Sequence, residues 1–215
     1  MGTIVQLKHV RIAFIDELFE PGQYEGKGDF RHTATFIVEP GSANDKAIQA
    51  AIESEAKTAW GKNAASMLED LRGDKKAFSY QKNKKDKAGD IYDGFENMYA
   101  LSGVRKQKDG SPLFLHNISE PDPEKPGKTR AKRLRALNKE TGKIEWVNGF
   151  EGVIYAGCYV NAKVEMWAQQ GTYRGMRCGL LGVQFDGPGD SFGGASRATD
   201  DGFDAVDAGE TDDLA

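Results

Sequence analysis

Three features of the chain predict a mainly β protein, built as a small closed antiparallel barrel with inserted α-helices and a disordered acidic C-terminal tail. Short stretches rich in β-branched and aromatic residues alternate with glycine-bearing turns, one region repeats its apolar residues at helical spacing, and large apolar residues thin out after Phe185. The first strand spans Ile4 to Ile15. Its alternation, Val5 and Leu7 followed by Val10, Ile12 and Phe14, changes phase at Lys8-His9, which a β-bulge explains. Phe30 to Val38 alternates without interruption, with Phe30, His32, Ala34, Phe36 and Val38 on one side, and makes a second strand. Pro40-Gly41 ends it. Ser42 and Asp45 then open a helix whose apolar positions Ala47, Ile48, Ala51, Ile52, Ala56 and Trp60 recur every three or four residues, and a shorter helical piece from Ala64 to Leu71 stops at Gly73.

Strand and turn signals return beyond that point. Gly89-Asp90 and Asp109-Gly110 mark reversals, and Asn138 to Gly142 joins two strands, Arg130 to Leu137 and Ile144 to Val147. A last pair, Gly157 to Trp167 and Met176 to Phe185, is joined through Gly171. Short antiparallel strands with one or two inserted helices favour a barrel over a sandwich, and among small barrels the five-stranded OB-fold is the candidate. The expected division is a folded domain over residues 1–186 and a tail over residues 187–215, where Gly, Asp, Ala and Ser dominate and too little apolar surface remains to offset the entropy of ordering.

Charge sharpens that division. The whole chain carries −4, but from Asp186 onward nine acids face Arg197 alone, so this segment holds −8 and the rest +4. A basic body with an acidic tail points to a polyanion, nucleic acid above all, as partner. The same sequence argues against several other classes. No apolar run approaches the roughly 18 residues of a membrane span, and the start lacks the layout of a signal peptide, so a cytoplasmic location and no membrane partner are expected. Cys158 and Cys178 lie twenty apart without a CxxC, and His9, His32 and His116 are scattered through strand-like segments, so no metal and no cofactor are expected. Pro126-Gly127-Lys128-Thr129 imitates the end of a phosphate-binding P-loop, but Asp122 stands where that motif needs Gly. Asp86, Asp90, Asp93 and Glu96 form only a remote case for a metal-dependent nuclease.

Two basic patches carry the binding reading. Residues 71–87 hold seven bases against two acids, and a strand there sets Lys76, Phe78, Tyr80 and Lys82 on one face, with Lys75, Lys84 and Lys85 beside them. Rings bracketed by lysines suit a single strand of nucleic acid, because unpaired bases offer π-faces for stacking while adjacent phosphates need cations. The second patch, Lys125 to Lys139, has seven bases and no acid, and Lys132, Arg133 and Arg135 are its expected phosphate contacts. Between the patches lie Tyr92, Phe95, Tyr99, Arg105 and Lys106, whose rings the sequence does not divide between core and surface. Trp146, Trp167 and Tyr173 are weaker stacking candidates. An RNA-binding module would use the same residue types, with contacts to the 2'-hydroxyl deciding the preference.

The block Tyr155 to Gly194, YAGCYVNAKVEMWAQQGTYRGMRCGLLGVQFDGPGDSFGG, resembles the C-terminal block of the single-stranded DNA-binding proteins of tailed bacteriophages. Gly89 to Gly103, with Tyr92, Gly94, Tyr99 and Ala100, fits the same family's middle strand pair, and the resemblance extends over residues 4 to 194. It implies an OB-fold protein without enzymatic activity that coats single-stranded DNA in phage replication and recombination. It also implies an acidic tail that competes with DNA and recruits replication or recombination proteins, and a homodimer among the arrangements the family uses. A disordered tail of about thirty residues spans roughly 30 Å, enough to reach back to a basic groove. Such tails often finish on Phe, whereas this sequence finishes on Leu214-Ala215, with its nearest aromatic at Phe203.

Overall fold

The chain folds in the order β1 (Thr3–Ala13), β2 (Gly22–Tyr24), β3 (Lys27–Val38), α1 (Ala43–Trp60), α2 (Ala64–Arg72), β4 (Tyr80–Lys82), β5 (Tyr99–Lys106), β6 (Leu113–Pro121), β7 (Thr129–Arg133), β8 (Arg135–Leu137), β9 (Ile144–Trp146), β10 (Tyr159–Gln169) and β11 (Gly175–Gly187). The structure, a computed structural model, describes residues 2–192 apart from Glu25, Lys75 and Asn148. The expected Lys75 contact and the tail beyond Phe192 therefore lie outside the described residues.

Five strands make the barrel wall. β1 pairs antiparallel with β3 and β10, β3 with β5, and β10 with β11. The ring closes through a single parallel pair, Gly179 of β11 against Val104 of β5. The circuit thus runs first, second, third, fifth, fourth strand, which is the OB arrangement. Within the ring the all-antiparallel expectation fails at this seam, for a topological reason: strand directions cannot alternate all the way round a ring with an odd number of members. The phase change at Lys8-His9 is a bulge, with register lost between Leu7 and Val10 and His9 at φ 50°.

The seam is filled by residues 77–80. Met176 N–H donates to Ala77 O (2.8 Å), Ser79 N–H to Met176 O (3.0 Å) and Ser102 N–H to Ser79 O (2.9 Å), so this segment is hydrogen-bonded to both seam strands. As part of the wall it must turn alternate residues inward, and Phe78 and Tyr80 are each only 3% exposed. The Tyr80 hydroxyl donates to Asp45 Oδ1 (2.8 Å), and its ring stacks on Tyr99 at 4.7 Å. Burial, reinforced by the Asp45 carboxylate, pushes the Tyr80 phenol far above its ordinary range. Asp45 also accepts from Gly41 N–H (2.7 Å), while its own N–H donates to the N-cap Ser42 Oγ (3.2 Å), so the start of α1 and the barrel seam share one carboxylate. From that anchored end, Ile48, Ala51, Ile52 and Ala56 of α1 join the core that holds Val5, Leu7 and Val164.

The long connection between β5 and β10 adds β6 parallel to β11 and β7 antiparallel to β6, while β8 and β9 form a separate hairpin. The single strand expected from Arg130 to Leu137 is two strands, divided at Leu134, which is fully buried and donates its N–H to Phe114 O (2.9 Å). Past the expected boundary at residue 186 the chain stays on the body. Phe192 N–H donates to Ala156 O (3.0 Å), Arg11 Nη2 donates to Asp190 O (2.6 Å), and the Arg11 guanidinium lies over the Phe192 ring at 4.2 Å. Gly157 (φ 105°) permits this, because a Cβ there would sit 2.0 Å from Asp190 O.

Candidate nucleic-acid interface

Strand parity sets the outer wall of the barrel. Inward residues Phe36 and Leu101 face each other across β3 and β5, so Arg31, Thr33, Thr35 and Ile37 of β3 and Ala100, Ser102, Val104 and Lys106 of β5 point outward. The connection from Asn83 to Met98 lies over one half of this face and seats Phe95, 2% exposed, against Ala13, Ile37 and Ala100. The other end, Arg31 and Thr33 beside Val104 and Lys106, is exposed or half-exposed, while Thr35 beneath Ser102 is buried.

A cluster stands where cover meets open floor. Lys84 Nζ lies 3.4 Å from Ser102 Oγ, which lies 3.2 Å from Thr35 Oγ1. The same ammonium sits 5.3 Å over the Phe14 ring, and Phe14 meets Tyr92 edge-on at 4.8 Å. Tyr92 is 37% exposed and Phe14 half-buried. At the far end of the floor Arg31 is exposed and opposite Lys106, whose ammonium holds the Asp29 carboxyl below its usual range from 2.8 Å away. The opposite margin carries Arg177 on β11, paired with Trp167 of β10 and hydrogen-bonded to Gln169 Oε1, Tyr173 O and Lys76 O. Tyr173, in the β10–β11 connection, is 76% exposed, the highest of the aromatic residues among the described residues. The arrangement offers flat faces, cations and hydroxyls along one open surface.

The sequence-predicted residues divide sharply. Phe78, Tyr80 and Phe95 are corrected to core: the first two because the seam turns them inward, the third because it anchors the covering loop. Tyr99 is half-buried under Tyr80. Arg135, expected at phosphate, has a side chain only 9% exposed and donates to Phe19 O (2.6 Å), Glu20 Oε1 (2.8 Å) and Ile144 O (3.1 Å) beneath the Trp146 ring. It braces the β1–β2 connection against the hairpin. Arg105 is occupied with Gly110 O and Asp109 O, closing the turn after β5. Lys76, Lys82, Lys85 and Arg133 are exposed, and Lys132 lies over Phe150 at 4.9 Å. Lys132 and Arg133 belong to β7, separated from β5 by β11 and β6 in the sheet, so the two basic patches do not share one surface of the wall.

Sequence reasoning missed Phe14, Thr35, Ser102 and Arg177. Phe14 sits in phase with the core residues Val10 and Ile12 and turns outward only because its φ is 51°, which no periodicity announces. Among the described residues, no three His, Cys, Asp or Glu side chains are placed to hold a metal. Asp86, from the imagined nuclease cluster, instead accepts from Gly89 and Asp90 N–H groups. No described helix is long and apolar enough to cross a membrane.

A five-stranded barrel closed in this order, with rings, cations and hydroxyls on the outer face of its second and third strands, defines an OB-fold of the oligomer-binding class. The chain matches the family described as Enterobacter phage Enc34, ssDNA-binding protein, over residues 3–215, and it belongs to that family of binding proteins rather than to the enzymes. A putative protein p50 of Acyrthosiphon pisum secondary endosymbiont phage 1 is 29% identical over 213 residues, covering 98% of this chain and 97% of the relative. Among solved structures, the single-stranded DNA-binding protein from bacteriophage Enc34 in complex with ssDNA superposes with a TM-score of 0.59 at 19% identity, covering 88% of this chain and 89% of that one. A second structure of the single-stranded DNA-binding protein from bacteriophage Enc34 gives a TM-score of 0.55 at 19% identity, covering 94% of this chain and 90% of that one.

Proposed function

We propose that this protein binds single-stranded DNA with little regard to sequence, stacking bases on Phe14 and Tyr92 and neutralising phosphates with Lys84, Arg31 and Lys106. One observation supports this above the others: the Lys84 ammonium lies against both the Phe14 ring and the Ser102 hydroxyl on the outer face of β3 and β5. A base on the rings would bring its phosphate to a cation and to hydroxyl donors together, while the covering loop fixes the rings in place. Family membership supports the choice of single-stranded DNA, and the role assigned in this reading is phage replication or recombination in the host cytoplasm. Phe192 packs against the cluster of Phe95, Ile37 and Ala100, and the acidic segment follows it in the sequence. With seven acids from Asp200 onward it would compete with phosphate there, and DNA would free it for protein partners.

Anisotropy of a labelled thymidine homopolymer, its duplex and a matched RNA strand tests the reading. Tight binding to the DNA strand is expected, reduced in Tyr92→Ala and Phe14→Ala by about 1 to 3 kcal/mol for each stacked base. Truncation after Phe192 should raise affinity at low salt. Equal affinity for strand and duplex, with both ring variants indistinguishable from wild type, would overturn it.

A further inference from the structure

The β8–β9 hairpin has one apolar face that the barrel covers only at its base. Arg135 pairs with Trp146 and Leu137 with Ile144 across the two strands, so all four share that face. At the base, Trp146 packs on Phe19 at 4.7 Å and Arg135 is tied to the β1–β2 connection. At the tip, Leu137 is 63% and Ile144 46% exposed, side by side beyond the barrel. The tip is held in shape: Asn138 Oδ1 accepts from Glu140 and Thr141 N–H, and Glu145 accepts from Asn138 Nδ2 and Thr141 Oγ1, both at 2.7 Å. An aliphatic pair on a braced, protruding ribbon is a wedge rather than a stacking platform, since it lacks a flat ring.

Charge selects the occupant. Residues 125–146, the ribbon together with the β7 segment leading into it, carry eight bases against Glu140 and Glu145, so a polyanion is favoured beside this ribbon. The hairpin is also continuous with the binding face, because the β1–β2 connection that Arg135 grips sends Glu17 Oε2 to Thr33 Oγ1 on the open floor. We propose that Leu137 and Ile144 press against the terminal base pair where a duplex meets the single strand held on that floor, separating the pair as apolar side chains do when inserted between base steps. This rests on the single-strand reading above.

The test uses the full chain and a duplex with a single-stranded overhang, carrying 2-aminopurine in its first base pair. Any single-strand binder shifts melting by mass action, so the comparison is with Leu137→Asn/Ile144→Asn at matched occupancy. The wild type should brighten the probe at the junction. The double variant, whose changes lie at exposed positions, should keep its homopolymer affinity within about twofold, equivalent to about 0.4 kcal/mol, and leave the probe dark. Equal brightening by both proteins overturns the wedge, as does a wild type that binds homopolymer but leaves the probe dark. A double variant with a changed sedimentation mass also overturns it, assigning the pair to an interface between copies. A wild type that binds no homopolymer refutes the single-strand reading itself, and the wedge with it.

Discussion

Residues 76–85 and residues 130–146 look alike in composition, each a run of cations with embedded large apolar side chains, yet the fold sorts them in opposite directions. In the first, the rings of Phe78 and Tyr80 go into the core while Lys76, Lys82 and Lys85 stay in water. In the second, a cation goes inside, Arg135 under Trp146, while the aliphatic Leu137 and Ile144 stay out. Composition was the same kind of signal in both. What differs is the backbone's job: residues 77–80 complete a barrel wall, whereas residues 135–146 form a ribbon standing on it.

The largest expected effect breaks the first half of that comparison. Phe78→Ala should lose about 3 to 5 kcal/mol of stability in urea denaturation, because a ring is deleted from a seam held on both sides by backbone hydrogen bonds. The folded fraction should still bind a DNA strand as wild type does. Reduced affinity with unchanged stability would mean that the ring faces DNA after all.

The second half is broken at Arg135. Arg135→Ala should cost about 1.5 to 3 kcal/mol, since it removes charge-assisted hydrogen bonds to Phe19 O and Glu20 from a nearly enclosed guanidinium. Arg133→Gln, two residues away and exposed, should change stability by less than about 0.5 kcal/mol. Matching denaturation midpoints for these two variants would remove the distinction between brace and surface charge.

The comparison also shows how far the sequence could be read. The bulge at Lys8-His9 and the capped helix from Ser42 were legible because each is written within a few neighbouring residues, as a broken alternation or a cap beside a three-to-four repeat. The direction of Phe78 was not, because it depends on β5 and β11 leaving a gap that only the closed ring creates. Tyr92 and Lys84 stood out as candidates by type. Phe14 did not, since one backbone torsion separates it from the core series it continues.

A smaller effect sharpens the assignment of the face. Lys84→Gln should flatten the dependence of log affinity on log salt by about 0.7, the share of one phosphate on a single strand. Lys132→Gln, whose ammonium lies over Phe150 on the far strands, should leave that slope unchanged for an oligomer short enough to occupy only the β3–β5 floor. Equal slopes for the two variants would spread the interface over both basic patches.

The smallest effect concerns the inward end of β3, where His32 is 4% exposed and opposite Arg105. Burial lowers its pKa from the ordinary 6.5, and the contact of Nδ1 with Leu18 O (3.0 Å) and the charge of Glu20 only partly oppose this, while Arg135 and Arg105 reinforce it. The unfolded chain therefore takes up the proton first as pH falls. The stability held by neutral His32 is complete above about pH 6.5 and drains away as pH drops through that value towards the lower folded pKa, below which both states are protonated. His32→Gln keeps a donor for Leu18 O but cannot titrate. Urea midpoints at pH 7.5, 6.5 and 5 should thus fall less steeply for the variant than for the wild type, all other titrating groups being common to both. Parallel slopes would mean that His32 meets water in the folded protein, and that the inner end of β3 is as open as its outer face.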